Sequence, residues 1–587
     1  MASTFLGINI GKSGLYTYQS ALNTTAHNAA NAETTGYSRQ IINIRASKPI
    51  SVSSTYGMVG TGVTATGITQ VRNNYYDVKY RSNCAISGSY STKSYYSTQV
   101  ENYFNEIENS GVLVNLENMS NSLQELSKDP SSITVKTQLT QYGVSLTEQV
   151  NYLATSLAKI QEEANTELKN SCDRINSLSQ QIATLTKQIN TVEVNGVVAN
   201  DLRDTRNLLV DELSQYANIS VSENVVNNDV GKTTYVVKLD GKTIVDTTEY
   251  VKLQVVPTET KNNVNDINGL YTLMWSDGQE FNNTSPTLGG SLQALYQVRD
   301  GNNGSVFTGK VETQTGNQIT VTSENWNNEL LLNIPESGTI RIGQNDIEYK
   351  SFSFTVDANG KYTYTFELED SSATKNLVGE ECSVGEVVKY KGIPYYMNKL
   401  NEFVRTMSKA FNEVHQTGQN ANGTSGLDFF SAVNKVTGED YVFNGANASS
   451  YYNMTAFNFS ISQTIQNDPN NIATTSDIAN GVENADIVYS LLNTLNDKTM
   501  FNQGSPESFF ETLIADIAID AKKADTSATS QTTILDFIDT QRISVSGVDI
   551  DEEAMNIIRY QNAYNLSAKV VSVLDEVLDT LINVVGA

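Results

Sequence analysis

The residues able to do chemistry are few and scattered. Of 587 residues only two are histidine, His27 and His415, and neither has a serine, cysteine or carboxylate constellation evident around it. A nucleophile with its base, or a histidine-rich metal site, requires such neighbours, so both histidines are expected to be surface or helix-capping residues. The three cysteines, Cys84, Cys172 and Cys382, are far apart and odd in number, which predicts isolated thiols without a disulfide framework or zinc spacing. Gly11-Lys12-Ser13 has the wording of the end of a phosphate loop, but the earlier glycine is missing and no strand precedes it. Asp549, Asp551, Glu552 and Glu553 are calcium-ligand types, yet acidic side chains in the first turn of a helix are stabilising without an ion. The sequence therefore assigns no catalytic residue, no cofactor site and no metal site.

What the chain does carry is long-range periodicity. Ile550, Ile557, Tyr564, Val571, Leu578 and Val585 recur every seven residues, the spacing of a helix stripe that can supercoil with a partner. The run holds no Pro or Gly before Gly586, so about 36 residues give a helix near 54 Å long. At the other end Ile8, Leu15, Leu22 and Ala29 repeat every seven residues, with Gly11, Tyr18 and Thr25 between them, and predict a second heptad helix over 4–32. The two chain ends are expected to pair. Six stripe residues cannot offset the ordering of so long a helix, so order in these ends is expected only once other chains cover them. The candidate assembly face is Ile8, Leu15, Leu22, Ile550, Ile557, Tyr564, Val571 and Leu578.

Between the ends, helix is predicted over 75–107 and most regularly over 146–192. There Leu146, Val150, Leu153, Leu157, Ile160, Ala164, Leu168, Cys172, Ile175, Leu178, Ile182, Leu185, Ile189 and Val192 advance by threes and fours, with a stutter at Leu168. This reads as a strut of about 69 Å. A further helix is expected over 202–213. From about residue 219 the period becomes two, with a hairpin turn at Asp240-Gly241. A short helix over 288–301 precedes a β segment, 302–390, whose clearest pair is Phe352, Phe354 and Val356 against Tyr362, Tyr364 and Phe366 across Asn359-Gly360. Helix returns over 395–417, 509–519 and 534–538. The expected fold class is α+β multidomain, with long coiled-coil-like helices from both termini side by side and β-rich middle domains at the tip. Its expected divisions are 1–45 with 541–587, 46–301 with 391–540, and an outward-facing β insertion at 302–390.

Composition narrows the partners. Sixty-five acidic against 39 basic residues give a net charge of −26, unsuited to nucleic acid or an anionic membrane surface, and no 18-residue apolar window exists to insert in a bilayer. The N-terminus has no basic segment followed by an apolar run, so a Sec-type signal is not expected, which by itself favours the cytoplasm.

The stretches Ala21-Leu22-Asn23-Thr24, Asn28, Asn31 and Thr35-Gly36-Tyr37-Ser38-Arg39-Gln40 resemble the N-terminal motif of the bacterial flagellar axial family of rod, hook, hook-associated and filament proteins. More specific are Asp551-Glu552-Glu553, Tyr560-Gln561-Asn562-Ala563-Tyr564 and Ser567-Ala568-Lys569-Val570, together with 289–300 and 398–420, which resemble the hook-associated members. His27-Asn28-Ala29 departs from the usual Asn-Asn-Ile, and the Gly-Asn-Gly-Phe-Phe-like run of hook proteins is missing. The motifs cover 1–300 and 390–587 and leave 302–390 uncovered. The resemblance implies a non-enzymatic structural protein at the junction between hook and filament, exported unfolded through the flagellar type III apparatus and folded outside the cell. It implies as partners further copies of the same chain, the hook protein, the next hook-associated junction protein, and an export chaperone at the C-terminal helix. Another axial component, such as hook or distal rod, is the alternative reading; an extracellular glycan-binding or hydrolytic protein using the β insertion is a further one.

Overall fold

The structure, a computed structural model, describes residues 5–53, 57–105, 111–225, 233–369, 376–481 and 483–585. Helix α1 (Leu6–Ala30) opens the chain and leads into a long hairpin, where β1 (Gln40–Ala46) pairs antiparallel with β4 (Val63–Gln70), and β2 (Ile50–Ser53) with β3 (Gly57–Val59). Next come α2 (Asn74–Phe104), α3 (Val112–Leu126), α4 (Ile133–Glu193) and α5 (Asn200–Tyr216). Asn73 starts α2 by accepting from the Tyr75 amide at 3.0 Å, satisfying one of the free donors of the first turn. The predicted end of this helix at 107 lies outside the described residues.

Helix α4 has 61 residues, about 92 Å of helix, and starts at Ile133 rather than near 146. Its predicted apolar line is buried from Leu146 to Ile182. Beyond that the buried position passes from Leu185 to Thr186, whose hydroxyl donates to the Ile182 carbonyl at 2.8 Å and so enters the core bonded; Ile189 is again buried and Val192 is exposed. The helix is not a free-standing strut: its buried residues run through a single hydrophobic core that also takes in α2, α3 and α7.

Against α4 lies a four-stranded antiparallel sheet in the order β5 (Ile219–Val225), β6 (Thr233–Leu239), β7 (Lys242–Asp246), β8 (Glu249–Tyr250), with the predicted turn at Asp240-Gly241 in place. The pair β9 (Leu253–Pro257) and β10 (Tyr271–Trp275) and helix α6 (Gly290–Asp300) complete this side. The chain then leaves the body. Strands β11 (Phe307–Thr315), β12 (Gln318–Thr322), β13 (Gly338–Ile342), β14 (Asn345–Val356), β15 (Tyr362–Leu368) and β16 (Glu381–Val384) close into a six-stranded barrel, ordered β11-β12-β15-β14-β13-β16. The predicted pairing is present, Phe352 opposite Phe366 and Phe354 opposite Tyr364. A bulge between Tyr349 and Ser351 lets Tyr349 also turn into the barrel core beside Phe366, with ring centroids 5.2 Å apart.

The two passages between body and barrel run side by side, Asn302 bridging to Lys391 and the Gly392 amide donating to the Gly301 carbonyl at 3.1 Å. A β-carbon on Gly301 would fall 2.7 Å from the Gly392 nitrogen, so only glycine permits this approach. Helix α7 (Ile393–Thr417) then carries Arg405, fully buried, whose guanidinium donates to the carbonyls of Met454 (2.7 Å), Tyr452 (2.7 Å) and Leu332 (2.8 Å). Burial lowers its pKa to about 10, and it ties the chain entering β13 to α7. After β17 (Phe430–Ala432), β18 (Phe459–Ile461), α8 (Gln463–Asn467) and α9 (Asp486–Leu495), the chain returns along α10 (Pro506–Ser546) and α11 (Ile550–Thr580). The two short helices predicted at 509–519 and 534–538 are one helix of 41 residues, because the polar stretch between them places Ala521, Ala524 and Gln531 against a neighbour, Gln531 donating to Asn83 of α2 at 3.0 Å.

His27 is exposed, as expected, at the last turn of α1. His415 is not a surface residue: it is fully buried, its Nδ1 faces the Leu427 carbonyl at 2.7 Å, and its Nε2 accepts from the Ala473 amide at 3.0 Å. Both partners suit the neutral ring, and burial lowers its pKa to about 4. The neutral form is thus favoured in the folded chain, so this contribution is complete above the unfolded value near 6.5 and is lost as pH falls from there toward 4. The expected loss is about 3 kcal/mol at its full extent. Histidine NMR of the His27→Asn variant should show a ring that remains neutral at pH 5, and a ring titrating near 6.5 would refute the assignment.

Candidate assembly interface

The terminal helices α1 and α11 lie antiparallel, and α1 meets α11 through its smallest residues. β-carbons added at Gly7, Gly11 and Gly14 would lie 2.6 Å from Leu574 Cδ1, 2.6 Å from Val571 Cγ2 and 2.5 Å from Ser567 Oγ. Further along, the rings of Tyr18 and Tyr560 stack with centroids 6.5 Å apart. Gly7, Gly11, Gly14, Tyr18, Ala21, Thr25 and Asn28 follow alternating steps of four and three, a heptad line one residue away from the predicted Ile8, Leu15 and Leu22. Glycine inside a helix costs about 1 kcal/mol relative to alanine. Here that cost is offset by the approach of two backbones, with the larger side chains of α11 filling the groove.

The predicted residues are distributed accordingly. Ile8, Leu15 and Leu22 flank the contact and are half-buried; Ile557, Tyr564, Val571 and Leu578 are half-buried on the stripe of α11 that faces α1; Ile550, the first residue of α11, is 57% exposed. A second line on α11 faces away from α1. Met555, Ile558, Leu566, Val573 and Val577 are 64, 61, 68, 44 and 53% exposed, while Val570 borders the contact at Gly11.

The base of the helix pair is held by charge. Asp549 caps α11, its carboxylate accepting from the Asp551 and Glu552 amides at 2.9 and 3.2 Å. This points Glu553 inward, and it is the one residue of α11 that is buried. Its carboxylate accepts from Arg39 Nε at 2.7 Å and from Asn28 Nδ2 at 3.2 Å, while Glu552 pairs with the same guanidinium at 2.9 Å. Asn28 is satisfied on every side. Its Nδ2 also donates to the Gln40 carbonyl, and its Oδ1 accepts from the Gln40 amide at 3.0 Å and the Tyr37 hydroxyl at 2.8 Å. Burial, with Asp201, Asp204 and Glu553 nearby, pushes the Tyr37 phenol up, so it remains a donor.

The same segment is fastened to the body. Ser38 donates through its amide (2.9 Å) and hydroxyl (2.7 Å) to Asp204 of α5, which Arg72 also meets at 3.2 Å. Burial raises the Asp204 pKa, the Ser38 bonds and the Arg72 charge opposing it. Arg542 at the end of α10 binds Asp211 at 2.6 Å and lies over the Tyr80 ring, and Arg81 binds the other oxygen of Asp211 at 2.7 Å. Sequence reading reached Asn28, Tyr37, Ser38, Arg39, Gln40 and Glu553 only as motif letters; Arg72, Arg81, Asp204, Asp211 and Arg542 it missed, since partners 130 to 331 positions apart leave no local pattern.

This arrangement joins both chain ends to the body through paired charges. Removing one partner of a buried ion pair costs about 3 to 5 kcal/mol. Glu553→Ala should therefore loosen α11 alone: trypsin cleavage after Arg559 and Lys569 is expected to accelerate about 100-fold while the thermal unfolding of the body is unchanged. Cleavage at the wild-type rate would show that Glu553 does not hold the helix.

A sequence model of the flagellar hook-associated protein FlgK helical domain matches residues 97–328, and one of the flagellar basal body rod FlgEFG protein C-terminal region matches residues 540–584, the end of α10 and all of α11. The chain is 29% identical over 604 residues to flagellar hook-associated protein 1 of Bacillus subtilis, covering 100% of this chain and 99% of the relative. It is 22% identical over 611 residues to that of Salmonella typhimurium, covering 98% and 99%. Both alignments also span the segment 302–390 that the motifs leave uncovered. The structure of the flagellar hook junction protein FlgK from Burkholderia pseudomallei overlays 80% of this chain and 100% of its own at 15% identity and a TM-score of 0.47. By the two matched regions and the end-to-end alignments, the chain is similar over its whole length to hook-associated protein 1, with its C-terminal helix matching that of flagellar rod proteins.

Proposed function

We propose that the protein is a structural element of the junction between flagellar hook and filament, assembled through its paired terminal helices. The observation that carries this reading is the outward line of α11 from Met555 to Val577, an apolar face on a helix whose other side is already occupied by α1. Soluble chains seldom leave so long an apolar stripe in water. A second copy bearing the same heptad pattern fits it, and repetition of that contact builds a tubular layer. The predicted residues Ile8, Leu15, Leu22, Ile550, Ile557, Tyr564, Val571 and Leu578 then serve in two ways. Those facing the partner helix set the pair, and Ile550, first residue of α11 on the same heptad, is left exposed for a neighbour.

The relatives' names supply the setting: hook-associated protein 1 for the curated chains, hook junction protein for the solved one. On this reading the hook protein lies on one side and the next hook-associated junction protein on the other. The chain is secreted unfolded to the outside of the cell, with an export chaperone covering the C-terminal stripe beforehand. The division into 1–45 with 541–587, 46–301 with 391–540, and 302–390 becomes a radial one, inner tube to outer surface. The joined passages at Asn302 and Lys391 are where the outer unit attaches.

A pair of substitutions separates the two faces of α11. Val573→Asp, on the outer line, should leave monomer stability unchanged and abolish filament formation in a strain lacking the native gene, with flagellin lost to the medium. Val571→Asp, on the inner line, should both loosen the helix pair and block assembly. Motile filaments on cells carrying Val573→Asp would refute the assembly face.

A further inference from the structure

The hairpin between α1 and α2 differs in charge from the rest of the chain. From Arg39 to Arg72 it holds no aspartate or glutamate, although the chain has 65 acidic residues in 587. Two of its four cations are used at its root, Arg39 with Glu552 and Glu553, and Arg72 with Asp77 and Asp204. The other two, Arg45 in β1 and Lys48 just beyond it, are exposed and form no ion pair among the described residues. Ile41, Ile44, Ile50 and Met58 of the same hairpin are exposed as well, Met58 to 67%.

A two-stranded ribbon is marginally stable by itself. This one leans on α1, where the Val63 amide donates to Ser13 Oγ at 3.2 Å and a β-carbon on Gly62 would fall 3.3 Å from Ile10 Cα. Among the described residues β1 and β4 pair only with each other, so both outer edges are free. The Ser47 amide donates to the Gly62 carbonyl at 2.9 Å, which sets Lys48 level with Ser13 and so with the contact between Gly14 and Ser567. Counted from Ser567, Asp575 and Glu576 stand eight and nine residues further along α11, about 12 to 14 Å along its axis. With Asp579 they make an acidic flank beside Val573 and Val577, exposed and free of ion pairs among the described residues. Within one chain the two sets of charge are out of register, and a stagger between copies along the tube axis brings them together.

We propose that the hairpin docks on α11 of a neighbouring copy of the chain, Arg45 and Lys48 against Asp575, Glu576 and Asp579, and its exposed apolar residues against the upper end of the outer line. This rests on the reading that copies assemble through their terminal helices, and it names the segment that meets α11. It also gives a reason for an acid-free stretch in a chain of net charge −26: like charge keeps copies apart elsewhere, and opposite charge steers this one contact. Exposed ion pairs contribute little each. The charges therefore select the register, and the apolar side chains supply most of the attraction.

Charge reversal with rescue, in a strain lacking the native gene, tests this. Arg45→Glu with Lys48→Glu should leave the unfolding temperature of the monomer unchanged and give about tenfold fewer filamented cells, with flagellin lost to the medium. Adding Asp575→Lys and Glu576→Lys to the same chain should restore the filaments. Wild-type filaments on cells carrying the first pair, or no restoration by the second, would overturn the proposal. Should a reversed chain fail to fold or to leave the cell, cysteine pairing decides, because the native Cys84, Cys172 and Cys382 are buried. Oxidation of flagella built from a chain with Lys48→Cys and Glu576→Cys should give covalent multimers, and each single variant only monomers. Monomers from the double variant would overturn the proposal. Dimers from Glu576→Cys alone would set α11 against α11, overturning the hairpin contact while assembly through the outer line stands; motile filaments on Val573→Asp cells would instead remove that assembly reading itself.

Discussion

The contact on which the terminal helix pair, and with it assembly, depends is the buried carboxylate of Glu553 between Arg39 and Asn28. It joins residues more than five hundred positions apart, and through Ser38 and Asp204 it fastens both chain ends to α5 in the body. A charge taken out of water is tolerable only when it is fully bonded. That requirement fixes register: Asn28 must be at the end of α1, Glu553 one turn into α11, and the glycines of α1 then fall opposite Ser567, Val571 and Leu574. The apolar stripe supplies attraction along the pair, and the carboxylate specifies where it starts.

This joint also explains why apolar bookkeeping undervalues the ends. Six stripe residues, counted alone, leave the terminal helices short of the cost of ordering them. The polar root and the glycine contact contribute terms absent from that count, and in the single chain the two helices are formed and paired. What remains unpaired is the outer line of α11, so order and assembly are carried by different sides of the same helix. Separation of the two roles lets a chain fold before it finds its neighbours.

Much of this was legible in the sequence, for identifiable reasons. Heptads on α11, the threes and fours of α4 as far as Ile182, the Asp240-Gly241 turn and the aromatic alternation of Phe352 to Phe366 are local signals, and each is where periodicity puts it. Errors came where packing partners set the outcome. On α1 the heptad reading puts Gly11, Tyr18 and Thr25 on the contact line, where the structure has them, but it puts Ile8, Leu15 and Leu22 where Gly7, Gly14 and Ala21 stand, because close helix contact selects small residues and displaces large ones to the flanks. His415, expected as a surface or capping residue, is buried on two backbone partners, Leu427 and Ala473, that have no sequence signature. The arginine and aspartate contacts between α2, α5 and α10 were invisible for the same reason, and α10 was divided in two because a face packed on α2 needs only Ala521, Ala524 and Gln531.

The central claim, that the terminal helices are paired and held by their polar root before any neighbour arrives, is tested most directly by amide hydrogen exchange on the free monomeric chain over residues 7–28 and 553–578. Slow exchange in both segments, with protection strongest near Asn28 and Glu553, is the expected result. Exchange at the rate of an unstructured peptide in either segment would contradict it.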